Sequence, residues 1–312
     1  MAKRRKAKVR KRTTSFKLGT SKRGKKQSIA KGLNLKAVLK IAAVVGAVTA
    51  VGVGFVFLQQ YVADAVDISQ RTASLKLIDA PDWVNQGLKD KIYAAARAGS
   101  EDLELDEDAA VLVQQNIETL AVWLDAPTVQ TTHDSIRISG RWRKPLALVK
   151  RGLKRFYVDS ECFVLDYLPM PNLPIVEVKG LSVTTRPPSP GELCRSDDLT
   201  AAVAILERLN QMDELVSPDS PLLYEIDRID VSNFNGRQNP RAPHIILYAK
   251  DNTEIIWGAE LGSWQRYLEA PDEQKLARLY HYYEKAGSLL NSVKYINLRD
   301  PQGDIALPVD KY

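Results

Sequence analysis

The sequence predicts an α+β protein: one apolar helix near the N-terminus, then a βααββ unit, then a mostly antiparallel β domain with flanking helices. Three observations lead to this fold class. A long uncharged apolar run follows a basic N-terminal segment. Two segments with the spacing of amphipathic helices then follow, and short segments of alternating apolar and polar residues, typical of strands, lie on either side of them. After residue 145, short strand-like segments dominate. Irregular alternation of helix and strand signals is typical of α+β domains.

The N-terminal segment and the rest of the chain have opposite charge. The 312 residues include 44 Lys+Arg and 38 Asp+Glu, a net charge of +6. Residues 1–40 contain 16 of the basic residues and no acidic one, which leaves 28 basic and 38 acidic side chains in residues 41–312. Because it has few apolar residues, the segment 1–40 is predicted to be a disordered basic tail. Membrane topology and attraction to anionic lipid explain its charge more simply than nucleic-acid binding, so we expect no nucleic-acid partner.

Residues 41–63 are predicted to form a membrane-spanning helix. Thr49 is the only polar side chain in 41–58, and no charge occurs before Asp64. At about 1.5 Å per residue, this length spans a hydrocarbon core of roughly 30 Å. A buried core helix and a cleaved signal peptide are the alternatives, but the long basic segment and the long apolar run favour an uncleaved anchor. By the positive-inside rule, the tail is cytoplasmic and the acidic remainder lies outside the cytoplasm.

Small residues recur at every fourth position of the apolar run. They are Ala42, Gly46, Ala50 and Gly54, and helical geometry places them on one face. Small side chains at this spacing let a second transmembrane helix approach closely. The alternative is an anchor that is merely rich in alanine and glycine.

The βααββ unit is predicted to cover residues 68–144. Asp82 is expected to cap a helix that runs to about residue 98, and Asp106 a second helix that cannot continue past Pro127. The expected strands are 75–79, 129–132 and 136–142. The helical positions expected to face the core are Val84, Leu88, Ile92, Ala95, Ala110, Val113, Ile117, Leu120 and Leu124.

The β domain is predicted to cover residues 145–312. Its expected strands are 146–150, 156–158, 162–166, 175–178, 226–231, 245–249, 254–257, 293–299 and 304–307. Its expected helices are 198–212 and 271–290. A turn at Pro301-Gln-Gly303 is predicted to join the last two strands. A chain that ends on such a pair can leave an edge strand for a partner to complete.

No motif in the sequence predicts catalysis or a metal centre. The three histidines, His133, His244 and His281, stand far apart and outside any metal-binding motif. The strict Ser-x-x-Lys match, at residues 28–31, lies in the basic tail, where such chemistry has no substrate. We therefore expect a non-enzyme with no cofactor, no metal and no small-molecule substrate.

The two cysteines, Cys162 and Cys194, lie in the part predicted to be outside the cytoplasm, where disulfides can form. A disulfide would close a loop of 33 residues. The alternative is two free, partly buried thiols, which the sequence favours because Cys162 lies at an expected core strand position.

Five local motifs follow one another in a characteristic order. They are SIRISGRWRKPLALVK at 135–150, FYVD at 156–159, LPIVEVKG at 173–180, DNTEIIWG at 251–258 and YINLR at 295–299. In this order, and beside the predicted topology, they resemble the FtsQ/DivIB family of bacterial cell-division proteins over roughly residues 1–308. Departures such as Arg143-Lys144 before the junction proline, Asn252 and Asn297 indicate a divergent member.

The resemblance implies a non-catalytic, bitopic scaffold of the septal wall-synthesis machinery at the division septum. It implies a location in the inner (cytoplasmic) membrane, with the N-terminus cytoplasmic and the C-terminus periplasmic. It further implies that the βααββ unit is POTRA-like. The β domain would bind divisome membrane proteins of the FtsB/FtsL type, partly by strand addition on its last strands.

Carried onto this chain, the family's partner-binding face corresponds to Arg299, Gly303, Asp304, Ile305, Ala306 and Leu307. For Ile305 and Leu307 the alternative is core packing. Two other functions stay open. One is a POTRA-bearing accessory of a secretion or assembly system, which would not locate to midcell. The other is an anchored cell-envelope enzyme, whose cleft would gather polar residues with shifted pKa values.

Overall fold

The computed structural model describes residues 35–65, 74–99, 107–182, 188–291 and 293–302. The chain divides into two compact units, Met1–Asp67 and Ile68–Tyr312. The predicted domain boundary near residue 145 lies inside the second unit.

Helix α1 is Leu35–Ala65, and it begins six residues before the predicted span. The six added residues, LKAVLK, include leucine, alanine and lysine, which favour helix. Its segment Ala42–Tyr61 is long and apolar enough to cross a membrane.

The second unit begins with the elements β1 (Ser74–Leu77), α2 (Gln86–Ala96), α3 (Glu107–Leu120), β2 (Leu124–Thr131) and β3 (Ser135–Trp142). The three strands form a sheet of order β1-β3-β2. Strand β3 is parallel to β1 and antiparallel to β2. Both helices lie between β1 and β2 in sequence, so the parallel pair is joined by a long connection, as its geometry requires.

The start of α2 differs from the prediction. Asn85 caps the helix, because its side chain accepts a hydrogen bond of 2.9 Å from the Leu88 N–H. Asp82 instead follows Pro81 in a turn that Val84 closes with a 2.9 Å bond to the Pro81 carbonyl. The predicted inward positions of this region, Val84, Leu88, Ile92 and Ala95, are all buried.

Helix α3 and strand β2 also differ in part. The predicted cap Asp106 lies outside the described residues. Leu120, expected in the core, is 49% exposed, because the helix ends there. Pro127 lies inside β2, next to an irregularity at Ala126, whose φ is 46°. An edge strand tolerates proline, since no neighbour needs its missing N–H.

Eight strands form the second sheet: β4 (Ala147–Arg151), β5 (Lys154–Val158), β6 (Val164–Asp166), β7 (Val176–Lys179), β8 (Ile226–Asp230), β9 (Ile245–Ala249), β10 (Glu254–Gly258) and β11 (Tyr295–Asn297). Their order is β11-β10-β9-β8-β7-β4-β5-β6. Four neighbouring pairs are antiparallel and three are parallel. Two of the parallel pairs are joined through helices, which explains why the sheet is more mixed than predicted.

Helices α4 (Asp197–Val216) and α5 (Asp272–Ala286) share one core with one face of this sheet. Three short 3-10 helices accompany them at Leu222–Glu225, Phe234–Gly236 and Trp264–Tyr267. The Tyr280 hydroxyl of α5 donates a 2.7 Å hydrogen bond to Asp213 of α4. Helix α5 ends four residues before the predicted end, because Gly287 takes a left-handed φ of 72°.

The βααββ unit packs on the opposite face of the large sheet, over β4, β5 and β6. Trp123 is fully buried there, and its Nε1 donates a 3.0 Å hydrogen bond to Asp166. The Trp123 and Tyr157 rings meet edge to face at 6.1 Å. Lys91 of α2 forms an ion pair with Asp166 as well. The two predicted domains therefore share a hydrophobic cluster.

An arginine cluster reinforces this packing. Arg143 donates to Asp159 at 2.8 Å and to Glu161 at 2.9 Å, and it pairs with Asp125 at 3.0 Å. Its guanidinium lies 4.0 Å from the centre of the Phe163 ring. Arg143 thus joins the end of the βααββ unit to the turn between β5 and β6.

Candidate partner-binding edge

The two outer strands of the large sheet, β6 and β11, end in different ways. An isolated antiparallel bridge joins Phe163, just before β6, to Leu193. Two backbone hydrogen bonds of 2.9 Å flank it, from the Val164 N–H to the Glu192 carbonyl and from the Cys194 N–H to the Cys162 carbonyl. Next to the first, the Gly191 N–H donates a third bond of 2.9 Å to the Val164 carbonyl. The β6 edge is therefore covered by the chain itself.

Strand β11 pairs with β10 on one side, and the described residues supply no strand on its other side. The pairing is parallel. The Lys294 carbonyl accepts from β10 at 3.2 Å, and the Leu298 N–H donates to β10 at 3.0 Å. Because backbone groups alternate along a strand, those of Tyr295 and Asn297 point away from β10. We call this outer side of Tyr295–Asn297 the β11 edge.

The side chains at the β11 edge continue across the outer face of the sheet. Tyr295 is 38% exposed, while Ile296 is buried in the core. Tyr295 stands beside Glu254, which stands beside Tyr248. The Arg228 guanidinium lies 4.0 Å above the Tyr248 ring. This part of the face offers aromatic surface together with both signs of charge.

Arg299, a predicted partner-binding residue, forms an ion pair with another residue of the same chain. Its Nε donates a 2.7 Å hydrogen bond to Glu269, whose side chain is only 3% exposed. The other oxygen of Glu269 accepts from the Ala259 N–H at 2.9 Å and from Lys275 Nζ at 2.8 Å. Lys275 is completely buried. Arg299 therefore fixes the chain directly after β11.

The charge state of Glu269 follows from these contacts. Burial acts to raise its pKa, but the hydrogen bonds from Lys275 and the Ala259 N–H, with the Lys275 charge, hold the pKa below its usual range. Gly258 makes room for the carboxylate, since a Cβ there would lie 2.2 Å from Glu269 Oε2. Its φ of 98° is also one that glycine adopts easily.

Helix α5 holds the segment after Arg299. Arg278 donates to the Asp300 carbonyl and, at 2.9 Å, to the Pro301 carbonyl. Gln274 adds a hydrogen bond of 3.4 Å to the Pro301 carbonyl. The chain is therefore firmly anchored directly after the β11 edge, whose outer side carries no strand from the described residues.

The remaining predicted site residues divide into two groups. Gly303, Asp304, Ile305, Ala306 and Leu307 lie outside the described residues, as does the predicted strand 304–307. The transmembrane packing residues Ala42, Gly46, Ala50 and Gly54 lie on α1, where a Cβ added at Gly46 or Gly54 would meet no atom within 4 Å. That packing role stays a prediction.

The sequence did not single out Tyr295 and Asn297 as site residues, although their strand was predicted. Which backbone groups point outward depends on the pairing register with β10, which the sequence does not reveal.

The described residues offer little that suggests catalysis. His244 is buried, its ring meets Tyr267 edge to face at 4.5 Å, and burial lowers its pKa. A cleft of about 270 Å³ near Arg143 contains Asp159 and Glu161, which pair with that arginine. Within the described part of the chain, no group of three or more His, Cys, Asp or Glu could hold a metal ion.

Comparison with known proteins adds no relative: no protein-family model and no curated protein matches the chain.

Proposed function

We propose that this protein is a bitopic membrane scaffold of the bacterial division machinery, of the FtsQ/DivIB type, and that it binds partner membrane proteins by strand addition at the β11 edge. In this role its apolar helix anchors it in the cytoplasmic membrane. Its folded unit lies outside the cytoplasm at the septum. It works by binding and carries out no reaction.

The order of elements supports this proposal. One apolar helix follows a basic segment, as in a single-pass anchor. A βααββ unit with sheet order β1-β3-β2 comes next, and this order of elements supports the POTRA-like role that we propose for it. A larger sheet follows. The sequence motifs that resemble the FtsQ/DivIB family lie on these elements, from β3 to β11.

The observation that carries the proposal is the direction of the backbone groups of Tyr295 and Asn297. Their N–H and C=O groups point away from β10, and no described strand pairs with them. Unpaired strand edges bind other strands readily, and β-strand addition uses those groups for affinity and neighbouring side chains for specificity. Partners of the FtsB/FtsL type, which are membrane proteins, would meet this edge outside the cytoplasm.

The test uses a fluorescent protein fused to the cytoplasmic N-terminus of the full chain, imaged in dividing cells. We expect a septal band. Tyr295→Pro removes the outward N–H and should weaken the band. Tyr295→Ala keeps that N–H and is the matched control for the lost side chain.

A uniform envelope signal, with normal division after depletion of the protein, would contradict the proposal. It would favour a secretion or assembly accessory, or an anchored cell-envelope enzyme. A septal band that Tyr295→Pro and Tyr295→Ala weaken equally would retain the division role but move the contact away from the backbone of β11.

A further inference from the structure

Cys162 and Cys194 face each other where the chain covers the β6 edge. The bridge between Phe163 and Leu193 makes them the next opposing pair, and the Cys194 N–H donates a 2.9 Å hydrogen bond to the Cys162 carbonyl. The Cys162 N–H donates instead to the Asp159 carbonyl, so the pair makes one of the two hydrogen bonds of a regular antiparallel pair. In a regular pair that makes both, the Cα atoms are about 5.5 Å apart. Disulfides typically join cysteines whose Cα atoms are about 4.4–6.8 Å apart.

Both side chains belong to the same core. Cys162 is 8% exposed and its Sγ lies 3.8 Å from the Thr200 hydroxyl of α4, while Cys194 is half-buried against the same cluster. Both thiols are free in the structure. Burial raises the pKa of Cys162, the Thr200 contact lowers it, and the nearby Cys194 raises it again.

We infer that Cys162 and Cys194 form an intrachain disulfide that locks the covering segment onto the β6 edge. The reaction needs a disulfide-containing oxidant, either a small-molecule or a protein disulfide. The more exposed Cys194 thiolate attacks one oxidant sulfur and releases the other as a thiol. The Cys162 thiolate then displaces the bound half of the oxidant. Two thiols lose two protons and two electrons, and the oxidant becomes two thiols.

The position of the bond indicates its consequence. Cys162 ends the turn that contains Asp159 and Glu161, the carboxylates that bind Arg143. Cys194 lies just before α4. The disulfide would tie the turn, the covering segment and the helix together. This inference is independent of the division role, because it depends on local geometry alone.

The experiment uses the full-length protein purified in detergent and incubated in a buffer of oxidised and reduced glutathione. Free thiols are then blocked with N-ethylmaleimide under denaturing conditions and the chain is cut with trypsin. We expect peptides 156–179 and 180–195 to appear linked and lighter by two hydrogens. A bulky maleimide should add to neither cysteine before reduction and to both after it.

Cys194→Ser is the matched control. Its remaining thiol, Cys162, has no intrachain partner and should therefore react with the bulky maleimide before and after reduction alike. The inference is overturned if both wild-type thiols are blocked after the oxidising incubation. It is equally overturned if the only linked species is a dimer of two chains on a non-reducing gel. Since the decisive sample is the wild-type chain, a poorly folding variant does not affect the outcome.

Discussion

The two edges of the eight-stranded sheet show two solutions to the same problem. Unpaired backbone groups on an outer strand attract other strands, so folded proteins usually cover them. Here the β6 edge is covered by the bridge to Leu193, and the βααββ unit packs against its strand. At the β11 edge, the described residues leave the groups of Tyr295 and Asn297 without a strand. Among the described residues, the β6 edge is covered and the β11 edge is not, and for this reason we propose the β11 edge as the place for a partner.

The two edges are also anchored by different chemistry. Beside β6 the anchors are a buried tryptophan and the cysteine pair. Beside β11 the anchor is a buried charge cluster of Glu269, Lys275 and Arg299. An edge strand is supported by a neighbouring strand on one side only. The position of β11 therefore depends more on the contacts made by the residues just before and just after it. Disturbing each anchor separately should therefore affect one edge more than the other.

The largest expected effect is from Glu269→Gln, which leaves the fully buried Lys275 without its carboxylate. Breaking a buried ion pair from one side costs about 3–5 kcal/mol in the free energy of unfolding. Urea unfolding of the full chain, followed by tryptophan fluorescence, measures it. The exposed Glu284→Gln on α5 is the control and should change little. Adding Lys275→Met to Glu269→Gln should restore part of the loss, and no restoration would contradict the pairing.

The same cluster predicts a dependence on pH. The pKa of Glu269 in the folded protein lies below its ordinary value of 4.5. Its ionised form therefore contributes stability that is complete above about pH 4.5 and is lost as the pH falls through the folded value. The stability difference between wild type and Glu269→Gln should thus shrink as the pH is lowered in that range. A difference that stays constant from pH 7 to pH 3 would contradict this role.

The next effect concerns the covered edge. In the chain-entropy treatment, a disulfide that closes a 33-residue loop stabilises by about 3–4 kcal/mol. Reducing the oxidised wild type should lower its unfolding midpoint by a corresponding amount. The Cys162→Ser and Cys194→Ser variants should show no dependence on reductant. Hydrogen exchange should rise at the amides of Val164 and Gly191 on reduction, while the β11 amides remain unchanged.

A smaller effect is expected from Tyr295→Pro at the open edge. One lost backbone hydrogen bond is worth about 1 kcal/mol, so affinity for a partner strand should fall roughly five- to tenfold relative to Tyr295→Ala. Binding of purified partner to the full chain in detergent measures this difference. The two variants should unfold at similar midpoints, because the Tyr295 N–H does not bond to β10. A matching loss of stability in the proline variant alone would contradict that orientation.

The smallest expected effect is from Arg278→Ala, which removes the hydrogen bonds from α5 to the Asp300 and Pro301 carbonyls. Since Arg278 is only half-buried and bonds to a surface segment, stability should change by less than about 1 kcal/mol. Backbone amide exchange at Gln302 should nevertheless become faster. The exposed Arg208→Ala on α4 is the matched control. Unchanged exchange at Gln302 would mean that α5 does not hold this segment.

Much of the secondary structure could be predicted from the sequence. Strand β9 has the predicted bounds, and α4, β4, β8 and β10 differ by only a few residues. Periodicity identified the buried face of α2. Local competition caused the errors. Asn85 caps that helix instead of Asp82, and Cys162, the first residue of the expected strand 162–166, ends a turn with φ 62°. Such choices depend on hydrogen bonds that neighbouring residues compete for.

Less of the candidate site could be predicted. The resemblance indicated the last strands and Arg299, but the internal bond from Arg299 to Glu269 joins residues 30 positions apart. The large sheet has three parallel strand pairs, which depend on the path that the connecting helices and loops take across it. The periodicity of the sequence does not reveal that path. The facing of Cys162 and Cys194 likewise depends on a bridge between distant segments. Most differences between the predicted and the observed structure therefore come from contacts between residues that are distant in sequence, and fewer come from local propensity.

The most direct test of the account compares the two edges in dividing cells by site-specific photo-crosslinking. A photoreactive amino acid replaces Tyr295 at the β11 edge in one variant and Leu193 at the covered β6 edge in the other. The two side chains are similarly exposed, at 38% and 48%. The account predicts that residue 295 captures a membrane protein of the division machinery and that residue 193 does not. Equal capture at both positions, or capture at residue 193 alone, would contradict it.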